Sequence, residues 1–202
     1  MKQKWKGGTL LAPVPAVMVS CKCDSVNNGK PNIITVAWTG TLCSDPPKTY
    51  VSIRPERFSY DIIKESGEFV INLPTVETVK ALDFCGVKSG RETDKFEQMG
   101  LTPDKGFAVD APVIRQCPVA LECKVTDIVK LGSHDMFIAD IVCVDVEDKY
   151  VENSKLRLDK CGLLTYAHGE YFSLGKKLGS FGYSVMKKKT AERKRSTQNK
   201  KK

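Results

Sequence analysis

Histidine is nearly absent from this chain, with two residues in 202, and tryptophan is equally scarce. That scarcity excludes a good deal. With only His134 and His168, and with no Cys-x-x-Cys pair among eight cysteines, a structural zinc centre or a hydrolytic metal site has little to build on. The chain has no GxGxxG after its first strand, no GxxxxGK[ST] loop, no GxSxG elbow and no HExxH. No apolar run approaches the roughly 20 residues needed to span a bilayer. The opening MKQKWKGGTLLAPVPAVMVSC sets charge before an apolar stretch, yet Pro13 and Pro15 interrupt it and strand-like sequence follows at once. It is read as part of the fold rather than as a signal peptide, and the cytoplasm is the expected location. No repeat of 20–50 residues is visible.

A basic excess in the body of the chain is missing too. The net charge of +8 suggests a polyanion partner, but Lys187–Lys202 holds nine Lys or Arg and one Glu, which accounts for all of it. The other residues balance at 23 basic and 23 acidic, so the body carries no overall pull on nucleic acid. The expected organisation is one domain over 1–186 and a solvated basic tail over 187–202. The tail is compatible with a solubilising role or with weak anchoring to RNA or anionic lipid.

What is present reads as a β protein with short helices. Ordinary apolar (41%) and charged (28%) fractions fit a soluble globular chain. Strands are expected at Thr9–Leu11, Ala16–Cys23, Asn32–Thr39, Thr49–Ile53 and Glu68–Leu73, followed by a short one near Val113–Cys117. Two alternating runs, Ala120–Leu131 and Met136–Val146, flank Gly132–Asp135 and predict a hairpin. Leu163–Tyr166 and Glu170–Leu174 predict a last one around His168-Gly169. Apolar spacing gives helices over Arg57–Ser66 and Thr75–Phe84, with a helical turn capped by Thr93 or Asp94. About eight to ten strands without regularly alternating long helices argue for a mainly β (α+β) antiparallel barrel with flanking helices. The eight cysteines are read as reduced core side chains, with Cys21 and Cys23 the one pair spaced for thiol redox chemistry.

The densest chemistry lies in Asn32–Ser59, NIITVAWTGTLCSDPPKTYVSIRPERFS. Trp38 offers a face for a planar ring. Ser52-Ile53-Arg54, with Arg57 and Ser59 at a helix start, offers hydroxyls, backbone amides and a guanidinium fork suited to phosphate. Ser89-Gly90-Arg91 and Lys95 form a second polar, basic loop. Each signal alone is also compatible with plain packing or surface. A chain with few catalytic groups but ring and phosphate contacts points to a borrowed cofactor, which the protein binds, orients and tunes.

The blocks TVAWTGTLCSDPP, VSIRPERFSYDIIKESGEFVINLP, CGVKSGRETDKF, GSHDMFIADIV and GLLTYAHGEYFSLG, in that order, resemble the flavin reductase-like family that includes flavoredoxins. The resemblance implies an FMN-binding split β-barrel, a homodimer with FMN near the subunit interface, and redox activity. That activity is either electron transfer through bound FMN or NAD(P)H-dependent flavin reduction. It further implies that Asn32, Trp38, Thr39 and Thr41 approach the ring. Ser52, Ile53, Arg54 and Ser59 would follow the ribityl-phosphate arm, with Ser89, Gly90 and Lys95 closing over it. His134 would act at the flavin or the nicotinamide, and Tyr171 would border the pocket. Here the turn reads Gly132-Ser133-His134, without the acidic residue often seen before the histidine, which leaves nicotinamide use open. The flavoredoxin-like role leads. Its alternatives are a reductase of a two-component system, a binding module acting through the basic tail, and a thiol redox protein using Cys21 and Cys23.

Overall fold

The computed structural model describes residues 1–186; the expected basic tail, 187–202, lies outside the described residues. In chain order, β1 (Val17–Cys21), β2 (Asn32–Val36), β3 (Thr39–Ser44), β4 (Pro47–Ile53) and β5 (Glu68–Leu73) come first, with α1 (Phe58–Ser66) before β5. After β5 come α2 (Val79–Val87) and α3 (Lys95–Gln98), then the two-residue strands β6 (Pro103–Asp104) and β7 (Val113–Ile114). The long β8 (Val119–Lys130) and β9 (Asp135–Val146) follow, then β10 (Val151–Glu152) and β11 (Lys155–Leu156), and finally the hairpin β12 (Leu164–Ala167) and β13 (Glu170–Ser173). Seven strands make one antiparallel sheet in the order β2-β1-β5-β8-β9-β4-β3. This is the expected split barrel.

Two expectations fail. Thr9–Leu11 is not a strand. The Asn32–Thr39 run ends at Val36, and Thr39–Ser44, expected as a connection, is a strand of its own. Consecutive in the chain, β2 and β3 nevertheless occupy opposite edges of the sheet. The bend at Ala37-Trp38 makes the change of edge, and the Ser52 amide holds it by donating to the Trp38 carbonyl at 2.9 Å. Register shifts in the β8–β9 ladder, at Glu122/Cys123 and Val125/Asp127, add the local twist that curls the sheet.

Alternation along the strands supplies two cores. Val17, Val19 and Cys21 of β1 face the barrel interior with Phe69, Ile71 and Phe137. The residues between them face outward: Met18 packs with Ile33 of β2, Leu82 and Cys85 of α2, and Phe96 of α3. Both faces of β1 are therefore buried, which explains a run with no polar alternation. α1 lays Tyr60, Ile62 and Ile63 on the barrel and ends at Gly67, whose φ of 68° and amide bond to the Ile63 carbonyl close the last turn. Its position brings Ser59 against β2.

Candidate functional site

Two hollows follow β2. The first, about 210 Å³, begins at Asn32 and Ile34 and runs to α1 and the Lys88–Arg91 loop. The second, about 280 Å³, continues from Ile34 to Trp38 and takes in Ser52, Ile53, Arg54, His134 and Tyr166. Each falls below the common ligand-pocket range of about 300–1,000 Å³. They share Ile34 and Arg57, however, and so form one groove along the strand.

The groove is positively charged. Arg57, Lys88, Arg91 and Lys95 line its first part, against Glu56 alone, and Arg54 joins Arg57 in the second. No side chain caps α1 at Arg57; the Tyr60 amide donates to the Arg57 carbonyl at 2.9 Å, and the Phe58 and Ser59 amides, with no partner among the described hydrogen bonds, remain open to an anion. Lys95 is buried, and its Nζ donates to the carbonyls of Ile33 (2.7 Å) and Cys85 (2.8 Å). Burial lowers its pKa, and the neighbouring Cys85 and Cys21 act the other way. Among the described ion pairs none involves Lys95. A buried cation with no carboxylate beside it favours an incoming anion.

Local packing fixes the walls. Asn32 Nδ2 donates to Ser59 Oγ at 2.8 Å, joining β2 to α1. Gly90 sits so close that a Cβ there would lie 2.2 Å from Asn32 Oδ1 and 2.8 Å from Phe58, so only glycine lets the loop approach. The Arg91 guanidinium lies 5.2 Å over the Phe58 ring and donates to the Glu56 carbonyl at 3.1 Å. Ser89 Oγ accepts from the Arg91 amide, shaping that turn. At the other end His134 Nδ1 and Ser133 Oγ are 2.9 Å apart. Burial lowers the His134 pKa, Arg54 and Arg57 add to that, and Glu56 opposes it. A neutral imidazole at neutral pH results.

Of the expected site residues, Asn32, Trp38, Ser52, Ile53, Arg54, Ser59, Ser89, Gly90, Lys95 and His134 all line the groove. Three do not. Thr39 spends its hydroxyl on the Tyr50 carbonyl (2.6 Å), and Thr41 is exposed on β3, which leads away along the far edge of the sheet. Tyr171 points its hydroxyl to Asp83 Oδ1 at 3.2 Å, whereas Tyr166, its partner across the β12–β13 ladder, lines the groove. The groove also takes in Tyr166, Lys88 and Phe58, of which only Tyr166 carries a signal in the sequence, since it lies in the same hairpin as Tyr171. Arg54 shares the Trp38 end rather than sitting with Ser59.

Other chemistry fits less well. A larger hollow, about 640 Å³, has Lys80, Lys149 and Lys160 on its wall together with Glu77 and Glu147; Lys149 and Lys160 are each paired with a carboxylate, Glu147 and Glu152 respectively. Glu122, Cys143 and Asp145 bring ligand atoms within 4.8 Å of one another. The Glu122 carboxylate, however, already accepts the amides of Phe107, Ala108 and Val109 (2.7–2.8 Å) and serves as a loop anchor. Burial pushes the Cys21 thiol up to about 12, which keeps it protonated and unreactive. Among the described residues no helix is long and apolar enough to cross a membrane.

Comparison with known proteins agrees with the fold. The flavoredoxin of Desulfovibrio vulgaris (Miyazaki F) superposes with a TM-score of 0.85 at 32% identity, over 92% of this chain and 100% of that one. A flavoredoxin from Methanosarcina acetivorans gives 0.83 at 25%, with the same coverage. A protein of Archaeoglobus fulgidus named ferric-chelate reductase (NAD(P)H) is 27% identical over 136 residues, 67% of this chain and 73% of that protein. A family model described as flavin reductase like domain matches residues 10–175. The chain belongs to the flavin reductase-like family, and with it comes a flavin-related redox function.

Proposed function

We propose that the groove along β2 holds FMN, its phosphate among Arg57, Ser59, Ser89 and Arg91 and its ring toward Trp38, and that the protein transfers electrons as flavoredoxins do. The observation that carries this reading is a basic groove with a buried, acid-free Lys95 at one end and a Trp at the other. Bound FMN would supply the redox chemistry. The chain's own residues would do the rest. Arg57 and Arg91 would meet the phosphate with charge-assisted bonds, and the free amides of α1 would add theirs. Trp38 and Tyr166 would bound the ring and limit access of water. Neutral His134 would hold or pass a proton at the edge of the ring. The same reading expects a homodimer, which would cover exposed apolar side chains such as Val142 and Val144 of β9.

A second reading is direct reduction by NAD(P)H, favoured by the position of His134 at the Trp38 end. Anaerobic titration of the flavin-loaded protein with NADH and NADPH, followed at the visible flavin band, separates the two. Rapid bleaching identifies a reductase; no bleaching identifies a protein electron donor. Purified protein that takes up no FMN would overturn both.

A further inference from the structure

Trp38 and Tyr166 line a second hollow besides the groove, of about 340 Å³. Its remaining wall comes from Leu10, Leu11, Ala12 and Val14 of the N-terminal segment, with His168 at the β12–β13 turn. This wall is tied to the body at Val14, while Leu10 and Leu11 are exposed. Val14 and Tyr166 exchange both backbone hydrogen bonds at 2.9 Å, and Thr165 Oγ1 donates to the Val14 carbonyl at 2.8 Å. None of the described lining residues is Lys, Arg, Asp or Glu, in contrast to the adjoining part of the groove, which shares Trp38 and Tyr166 but carries Arg54 and Arg57.

We propose that this hollow binds an uncharged planar acceptor of the quinone class, which exchanges electrons with the flavin across Trp38 and Tyr166. The inference rests on the flavin reading of the adjoining groove. A site without Lys, Arg, Asp or Glu gives little hold to phosphates or carboxylates and favours a neutral ring over a pyridine nucleotide. The proposed arrangement fixes the mode of transfer. Hydride transfer needs reacting atoms about 3–3.5 Å apart, and an acceptor held behind Trp38 and Tyr166 would be kept from that contact. Single electrons can cross such a wall. The balance is that reduced flavin gives up two electrons in turn and releases two protons to water; the quinone takes two electrons and two protons from water and becomes the hydroquinone.

The test uses full-length protein carrying Trp5→Phe, so that Trp38 is the one remaining tryptophan, titrated with duroquinone while its fluorescence is followed. Saturable quenching is expected. Filling the hollow with Val14→Phe, or placing a charge at its exposed rim with Leu10→Glu, should raise the dissociation constant roughly tenfold or more. The charged anthraquinone-2-sulfonate should bind far more weakly. Flavin retention, read from the visible spectrum, should be unchanged in both variants. Non-saturable quenching, equal binding of the charged quinone, or indifference to both substitutions would overturn the proposal. A colourless protein that still binds duroquinone in this way would instead overturn the flavin reading and leave the hollow as a quinone site.

Discussion

Lys95 reaches from α3 to within 2.7 Å of the Ile33 carbonyl on β2, and the same ammonium meets the Cys85 carbonyl at the end of α2. One buried cation thus holds together the strand, the helix and the loop that form the basic end of the groove. Lys95→Met strips both carbonyls of their donor. Each unsatisfied buried group costs about 1–3 kcal/mol, so thermal unfolding should show a clear loss of stability. Flavin affinity should fall roughly tenfold or more, about 1.4 kcal/mol per factor of ten. Unchanged affinity would mean that the ammonium only supports the wall.

Gly90 tests the fit of the closing loop. In Gly90→Ala the new Cβ meets Asn32 Oδ1 and must push it, with its bond to Ser59, or lift the loop. Weaker flavin binding by roughly an order of magnitude is expected from equilibrium titration. Gly7→Ala, with nothing within 4 Å, should leave binding untouched.

His134 should titrate below the ordinary histidine value of about 6.5, because burial and then Arg54 disfavour its charged form. The sign for stability follows. A base whose folded value lies below its unfolded one contributes stability above the unfolded value and loses it as pH falls through the folded one. NMR titration of the ring resonances checks this, and Arg54→Gln should move the midpoint upward. A midpoint above 6.5 would contradict the geometry.

Glu122 carries an acid-side prediction. Burial alone would raise its pKa, but the amides of Ala108, Phe107 and Val109 outweigh it and the value falls. Stability from this carboxylate is present above the unfolded glutamate value and drains away as pH drops through the lower folded one. Glu122→Gln should remove that stretch of the pH profile and cost about 1–3 kcal/mol at neutral pH by denaturant unfolding.

Removing residues 187–202 should leave flavin binding and reduction intact, because the described lining of the groove runs from Asn32 to Tyr166. Activity that disappears with the tail would favour the binding-module alternative.

Much of this was legible in the sequence, for reasons that vary by element. EFVINL, residues 68–73, and the ALECKVTDIVKL and MFIADIVCVDV pair carry strong β signals with turn residues between them, and their strands lie within a residue or so of expectation. Thr39–Ser44 has no strand signal of its own, since Gly40 and the residues around it carry no strand pattern; its place depends on a partner, β4, that local propensity cannot see. The polar groove residues were readable because ordered motifs carried them. Tyr171 and Tyr166 pair across one hairpin, and only the packing of that hairpin decides which faces the groove. The commitment of Lys95 to two carbonyls had no sequence signal at all, since both come from backbone brought near by the fold.

The change of sheet edge at Ala37-Trp38 has a mechanical meaning. A barrel whose first and last strands are joined by two residues has a seam there, and the candidate groove lies along it, between β2 on one lip and β4 on the other. A molecule seated in that groove touches both lips and laces them. Ligand occupancy and closure of the barrel are then a single equilibrium, so amide exchange in β2 and β4 should slow together when the groove is filled, while β8, midway between the two edges, exchanges as before.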